Sequence, residues 1–341
     1  MQNLILFTSK DRDTILKARK GESKFGEHIQ LIPNLTNIYD DIVNLDVDFV
    51  IFGISEDIGV YANYGKTGTY KAWEATIKVL LNIHSNSKTN AKRVLMLGHL
   101  DYSDKRALVD LKSKKKNISK ARTIVEAIDK DVTHIVSSII KTGKIPIVIG
   151  GGHNNAYGNI KGAALANNGK MNVVNFDAHT DFRAEEGRHS GNGFSYAYAE
   201  GFLKNYFIFG LHENYTSEKV FKTINKIKPI KYNTYEAIEV RNELDFNSEL
   251  ETAISHVSNK NFGIEMDCDA IENIPSSAMS PSGFSVKQAR QFVHYFGQYG
   301  LCCFLRFLCG HYLRVLRKIP YLIPPIYLYS EKYMAEKIAR Q

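Results

Sequence analysis

The sequence predicts an α/β fold: three layers, α/β/α, around a mostly parallel central sheet. Three observations point there. Short apolar runs recur along the chain, helical patterns separate them, and residues able to ligate or catalyse follow directly on three of the runs. Strands alternating with helices give parallel sheets, because a parallel connection needs a crossover.

The strands come first. The runs 49–54, 93–98, 145–149, 173–176, 206–210 and 262–266 are mostly apolar and bounded by polar residues or glycine. Continuous apolarity, rather than alternation, is what a strand covered on both faces shows. Of the helices between them, the clearest places Ile118, Ala121, Val125, Ile128, Val132, Ile135 and Ile139 three or four residues apart, along one face. Gly143 and Pro146 then supply a stop. A later helix starts at Ser285, with Gln288 at capping-box spacing and an apolar face of Ala289, Phe292, Val293 and Phe296.

Composition bounds the rest. The 341 residues are 44% hydrophobic and 23% charged, near globular averages and enough for a sizeable core. Four cysteines exclude a disulfide scaffold and suit a reducing, cytoplasmic setting, and the first ten residues lack a signal-peptide layout. No 18-residue apolar run is free of charge; the nearest, 299–316, contains Arg306, His311 and Arg314. No membrane partner is therefore expected.

The net charge of +8 could suggest nucleic acid, but the excess is local. Residues 300–341 hold seven basic and two acidic side chains, so the rest of the chain carries only +3. No nucleic-acid partner is expected, and the lysine-rich run 112–116 reads as a solvated loop. The same end holds Cys302, Cys303, Cys309, Pro320, Pro324 and Pro325, and no acidic residue lies between Glu272 and Glu331. These breaks divide the chain into a catalytic domain, 1–299, and an atypical basic segment, 300–341. A shift of reading frame near residue 300 accounts for all three breaks at once; a basic aromatic tail that binds a surface is the alternative.

The chemistry sits after three strands. Gly150, Gly151, Gly152 and His153 follow the first; Asp177, His179 and Asp181 follow the second; Asp267 and Asp269 follow the third. Ligands of open α/β sheets bind at the carboxyl ends of strands. Residues at i, i+2 and i+4 of extended chain share a side, so each aspartate motif converges on one spot. Taken singly, the glycines could form a phosphate turn and Asp267 and Asp269 could cap a helix. Together they gather four carboxylates and two imidazoles, which repel unless cations neutralise them. Oxygen and nitrogen donors without thiolate suit Mn, Mg or Zn-like ions, and six ligands suit two ions rather than one. The spacing leaves open which carboxylates bridge.

This triplet of motifs resembles the ureohydrolases, the family of arginase, agmatinase and formimidoylglutamase, over residues 49–299. The resemblance implies a pair of Mn2+ ions. His153 and Asp181 would hold one, His179 and Asp269 the other, with Asp177 and Asp267 bridging. The stretch from Gly53 through Asp57, Gly59, Asn63 and Gly65 to Gly68 also resembles the family's first active-site loop. The implied reaction is hydrolysis at the planar C=N carbon of a small amidine or guanidino substrate, with Asp181 relaying the proton. A homo-oligomer is expected on the same ground.

Substrate identity should lie in 182–195. Arginase-like proteins have an asparagine two residues past the motif's last aspartate, where this chain has Arg183. Arginase- and agmatinase-like proteins have a histidine directly before the loop's glycine, where this chain has Ser190, with His189 one earlier. Arg183 and Arg188 favour a substrate richer in carboxylate than arginine, because guanidinium pairs with carboxylate. The expected substrate-binding residues are Arg183, Arg188, Ser190 and Asn192; Asp181 and His189 are the expected proton carriers. The loop resembles the formimidoylglutamase branch most, which implies N-formimidoyl-L-glutamate cleaved to glutamate and formamide in histidine breakdown. Arginase or agmatinase activity is the alternative within the class, and a metal-binding pseudoenzyme the alternative outside it. The family's final loop carries a glutamate that helps bind a cationic substrate group; residues 273–330 contain none.

Overall fold

The structure, a computed structural model, describes residues 2–299 apart from 88, 90, 110–116 and 275–277, together with the strand at 302–308, where Phe304 is the side chain described. Nine strands form one sheet: β1 (Leu4–Leu6), β2 (Phe49–Ser55), β3 (Val94–Asp101), β4 (Ile145–Ile149), β5 (Met171–Phe176), β6 (Leu203–Leu211), β7 (Ile230–Thr234), β8 (Phe262–Asp267) and β9 (Cys302–Leu308). Their order is β1-β3-β2-β4-β9-β8-β5-β6-β7. Every neighbouring pair is parallel except β1 with β3.

The six expected strands are present, most of them longer by one to four residues. Successive residues face opposite layers, as the pleat requires. Phe49 and Ile51 pack into one apolar cluster with Ile147, Phe176, Phe209 and Met266. Helices α1 (Ala72–Leu80), α5 (Phe246–Val257) and α6 (Val286–Gly297) close that side. Val50, Phe52 and Ile54 face the other side, against α2 (Ile118–Lys141). There α3 (Asn155–Ala166) and α4 (Gly193–Ala199) cover β5 and β6. The architecture is the expected three layers.

Helix α2 buries the expected stripe, and Gly143 beyond its end adopts φ 77°, the left-handed conformation that closes a helix. Helix α6 opens with Ser285 accepting from the Gln288 amide and Gln288 accepting from Ser285, the expected capping box. Strand β9 draws seven residues from the segment set apart at residue 300, and it lies between β4 and β8. The sequence shows no period from Arg306 onward, yet Arg306 pairs in register with Val148 and Glu265. A strand with neighbours on both sides needs no polar alternation, so the missing period carried no information. Phe304 is fully buried, against Gly263 of β8. The rest of that segment, and the lysine run 112–116, lie outside the described residues. Among the described residues, no helix is long and apolar enough to cross a membrane.

Candidate metal centre

Each ligand motif starts where a strand stops. After β4, Gly150 and Gly151 take φ 87° and 74°, conformations that glycine adopts without strain. They turn the chain so that His153 points over the sheet edge just before α3 begins. The buried carboxylate of Glu56 braces this turn. Its Oε1 accepts from the Gly152 amide at 2.7 Å and from Asn155 Nδ2 at 2.6 Å, and its Oε2 accepts from the Gly59 amide at 3.1 Å.

After β5, Asp177 Oδ1 accepts from the His179 amide at 2.7 Å and Oδ2 accepts from Asn175 Nδ2 at 2.8 Å. Asp181 ends the motif at φ 43°, a conformation aspartate tolerates better than most residues. After β8, Asp267 Oδ1 accepts from the Asp269 amide at 2.9 Å. Asp177 and Asp267 thus each close an i, i+2 turn that leaves a carboxylate oxygen facing the gap between strands.

The gap gathers all six expected ligands. His153 Nδ1 lies 2.6 Å from Asp181 Oδ2, 3.3 Å from Asp177 Oδ2 and 3.4 Å from Asp267 Oδ2. His179 Nδ1 lies 3.0 Å from Asp269 Oδ2 and 3.7 Å from Asp177 Oδ1. Two ligand groups result, His153 with Asp177 and Asp181, and Asp177 with His179 and Asp269; in each the donor atoms lie within 4.8 Å of one another. Asp177 belongs to both, the position of a bridging ligand.

Electrostatics explain what such a cluster needs. Burial lowers the proton affinity of His153, but Asp181, Asp177 and Asp267 reverse this and hold it well above the ordinary imidazole value. His179 rises in the same way, against its burial, under Asp269 and Asp177. Burial, reinforced by Asp267, pushes Asp269 up to about 8. Burial would raise Asp177 too, yet the two imidazoles hold it below the usual carboxylate range. The protein here concentrates negative charge and takes up protons to offset it; divalent cations would supply the same charge. Both ring nitrogens of His153 and Oδ1 of Asp269 are buried without a hydrogen bond of ordinary geometry, as ligand atoms are. This donor set fits two divalent ions.

The cluster floors a cavity of about 430 Å³. Arg183 and Ser190 line it, as expected of substrate-binding residues, and Asn63 joins them: Arg183 donates to Asn63 Oδ1 at 3.1 Å and Asn63 donates to Ser190 Oγ at 3.2 Å. The other three loop residues are not brought to the cavity wall. Arg188 is buried, and its guanidinium meets Asp129 of α2 at 2.8 and 3.3 Å, Asn192 Oδ1 at 2.6 Å and the Asn154 carbonyl at 2.8 Å. It lies over the rings of Tyr157 and Tyr196. Asn192 donates to the Ala184 and Gly187 carbonyls, so it ties the loop together. His189 is fully buried, and its Nδ1 accepts from the Gly191 amide at 3.1 Å. Burial, then Arg122, pushes it down to about 4. It has neither the access nor the proton affinity of a shuttle at neutral pH. The loop turns these three inward because Asp129 waits on α2, a partner no loop motif reveals.

Sequence reasoning missed three contributors. Glu265 is a single acid in an apolar strand, and Glu56 lies inside the stretch 53–68 at a position that no spacing marks. Tyr215 stacks on His179, rings 5.3 Å apart and 12° from parallel, and lines the cavity from the segment after β6.

With this geometry in hand, the chain can be compared with known proteins. The model of the arginase family matches residues 47–304. The chain belongs to the arginase family. The formimidoylglutamase of Streptococcus gordonii is 30% identical over 196 residues, 55% of this chain and 54% of that protein. The formimidoylglutamase of Streptococcus pyogenes serotype M3 is 27% identical over 235 residues, covering 67% and 66%. The matches thus span only about half to two thirds of these relatives' length. Among solved structures, Trypanosoma cruzi formiminoglutamase with Mn2+ superposes with a TM-score of 0.72 at 19% identity, covering 91% of this chain and 98% of that one. Formimidoylglutamase from Bacillus subtilis gives 0.72 at 15% identity, covering 95% and 99%. At such identity these two share the fold.

Proposed function

We propose that the chain hydrolyses a small linear amidine, N-formimidoyl-L-glutamate, to L-glutamate and formamide, with two Mn2+ as its cofactors. One observation carries the reading: two ligand groups sharing Asp177 floor a cavity in which Arg183 is the one lysine or arginine among the described lining residues. The relatives called formimidoylglutamase and the manganese-containing structure of that name support it.

His153, Asp177, Asp181, Asp267, His179 and Asp269 would hold the ions. When bound, a pair of divalent cations supplies a water acidic enough to deprotonate near neutral pH. The water oxygen adds to the amidine carbon, the carbon–nitrogen bond to the glutamate nitrogen breaks, and that nitrogen departs as an amine after gaining a proton. Asp181 lines the cavity and can take a proton from the attacking water and return it to the leaving nitrogen. Arg183, which lines the cavity, would pair with a substrate carboxylate and aim the amidine at the cluster. Tyr215 keeps the His179 ring flat against the wall.

The test is an assay of purified protein with Mn2+ on formimidoylglutamate, arginine and agmatine separately. Glutamate and formamide from the first are expected. Urea from arginine or agmatine, with formimidoylglutamate untouched, overturns the substrate; no product from any, with two ions bound, replaces the enzyme with a metal-binding protein.

A further inference from the structure

Glu265 lies on β8, two residues before Asp267, and is fully buried. Residues two apart on a strand share a face, so Glu265 sits one step deeper in the sheet beneath the ligand cluster. Its Oε2 comes 3.6 Å from Nε2 of His153. The same imidazole turns Nδ1 to the carboxylates of Asp181, Asp177 and Asp267. The ring therefore stands between two sets of acids, one at each nitrogen. Its plane is fixed from the side by Phe194, whose ring meets it edge-on at 5.3 Å and 89°. Glu265 is itself held: Asn159 Nδ2 donates to its Oε1 at 3.1 Å, from the helix that follows directly on His153.

We infer that Glu265 is a positioning residue for the cation site, which orients the His153 ring and fixes its tautomer by accepting a hydrogen bond from Nε2–H, so that Nδ1 faces the cluster as a ligand. The physical reason is the coupling of the two ring nitrogens. A carboxylate that accepts from one nitrogen sets the tautomer, leaves the lone pair on the other and raises its basicity. The present 3.6 Å is a few tenths of an ångström beyond hydrogen-bond reach, and a small tilt of the ring toward its carboxylate closes it. Glu265 also makes a fifth acid next to four aspartates and two histidines, which deepens the negative field that a cation relieves. The rival role is a carboxylate that serves only the sheet, at its register position between Asn175 and Arg306. That role would affect folding stability and leave ion affinity alone.

The inference rests on the proposed cation site, and the experiment separates the two. Full-length wild type, Glu265→Gln and His153→Ala are titrated with Mn2+, and free ion is read from its electron paramagnetic resonance signal. Glutamine keeps the size of Glu265 and an acceptor for Asn159, but it carries no charge and turns an NH2 rather than an oxygen toward Nε2. Wild type should bind two ions. His153→Ala should lose tight binding of one, and Glu265→Gln should weaken one of the two by ~10–100-fold, the range for such outer partners. Thermal unfolding of the metal-free proteins, matched between wild type and Glu265→Gln, shows that the loss is not one of folding. Should Glu265→Gln fail to fold, Glu265→Asp, which keeps the charge and draws back from Nε2 by one methylene, carries the comparison with a smaller expected loss. If the Glu265 variant holds both ions as wild type does while His153→Ala loses one, the inference is wrong and the site stands. If His153→Ala also keeps both, the site and the inference fall together.

Discussion

Asp181 Oδ2 and His153 Nδ1 stand 2.6 Å apart, although the strands that deliver them, β5 and β4, are separated in the sheet by β8 and β9. The contact therefore spans the full width of the candidate centre, and it depends on the left-handed turn at Asp181.

Asp181→Asn is the direct probe. Asparagine tolerates the same backbone conformation but carries no charge. The expected result is loss of one of two bound Mn2+ ions, with turnover reduced by at least ~100-fold if it also relays the proton. Metal analysis of the dialysed protein, beside the amidine assay, measures both; an unchanged rate removes the site assignment.

Arg183 should act on substrate affinity. Arg183→Met keeps the length and removes the charge, and a charge-assisted hydrogen bond contributes ~1.5–3 kcal/mol. KM for formimidoylglutamate should rise ~10–100-fold, with kcat much less affected. Steady-state kinetics decide, and equal falls in kcat and kcat/KM would contradict a role in binding alone.

Arg188 should act on stability instead. Arg188→Met leaves Asp129 buried without its partner, which costs ~3–5 kcal/mol in unfolding free energy. Pairing it with Asp129→Asn should recover a large part. Urea unfolding of the two variants shows this, and no recovery would mean that the ion pair is not the source of the loss.

His189 should give the fold an acid sensitivity. Burial, then Arg122, pushes it down to about 4 from an ordinary 6.5. Above pH 6.5 neither the folded nor the unfolded histidine is charged, so the group is neutral to stability. As pH falls from 6.5 to about 4, the unfolded chain takes up a proton that the folded one refuses, and wild-type stability drops. His189→Asn lacks that proton. The wild-type stability minus that of the variant should fall steadily over this window in denaturant titrations at several pH values, and a flat difference would place the histidine in a more polar setting.

The strand at 302–308 can be tested through one contact. A Cβ on Gly263 would come 2.0 Å from Cζ of the Phe304 ring, so Gly263→Ala should be strongly destabilising. Phe304→Ala alone should cost ~3–5 kcal/mol through the cavity it opens. Joined, the two should cost less than their sum, because the alanine at 304 vacates the space that the new methyl needs. Strict additivity in thermal unfolding would show that the ring is seated elsewhere.

Much of this was legible in the sequence. The six apolar runs became strands because β2, β3, β4, β5, β6 and β8 are covered on both faces and are apolar along most of their length. Strand β1 has three residues, and the mixed Ile230–Thr234 lies at the sheet's edge, so neither had a core to declare it. The candidate metal ligands were readable because a strand end converts spacing directly into convergence. Arg188, Asn192 and His189 were not, because a loop's sequence does not state which way it folds; Asp129, fifty-nine residues from Arg188, decided that. Glu56 and Glu265 were invisible for another reason: no spacing marks either, and its meaning comes from the groups that surround it in the fold.

The central place of β9 bears on the order in which the molecule can be made. His153 belongs to the half-sheet ending at β4, and the other five candidate ligands to the half beginning at β8. While a ribosome is still short of residue 308, the slot between these halves is open, and α3, which follows His153 and covers β5 and β6, is what ties the imidazole to its carboxylates. The two halves can each collapse early, but the sheet that carries the cluster closes only after the ninth strand has left the exit tunnel. The last strand to be made is thus the one that locks the two sides of the candidate centre into one sheet.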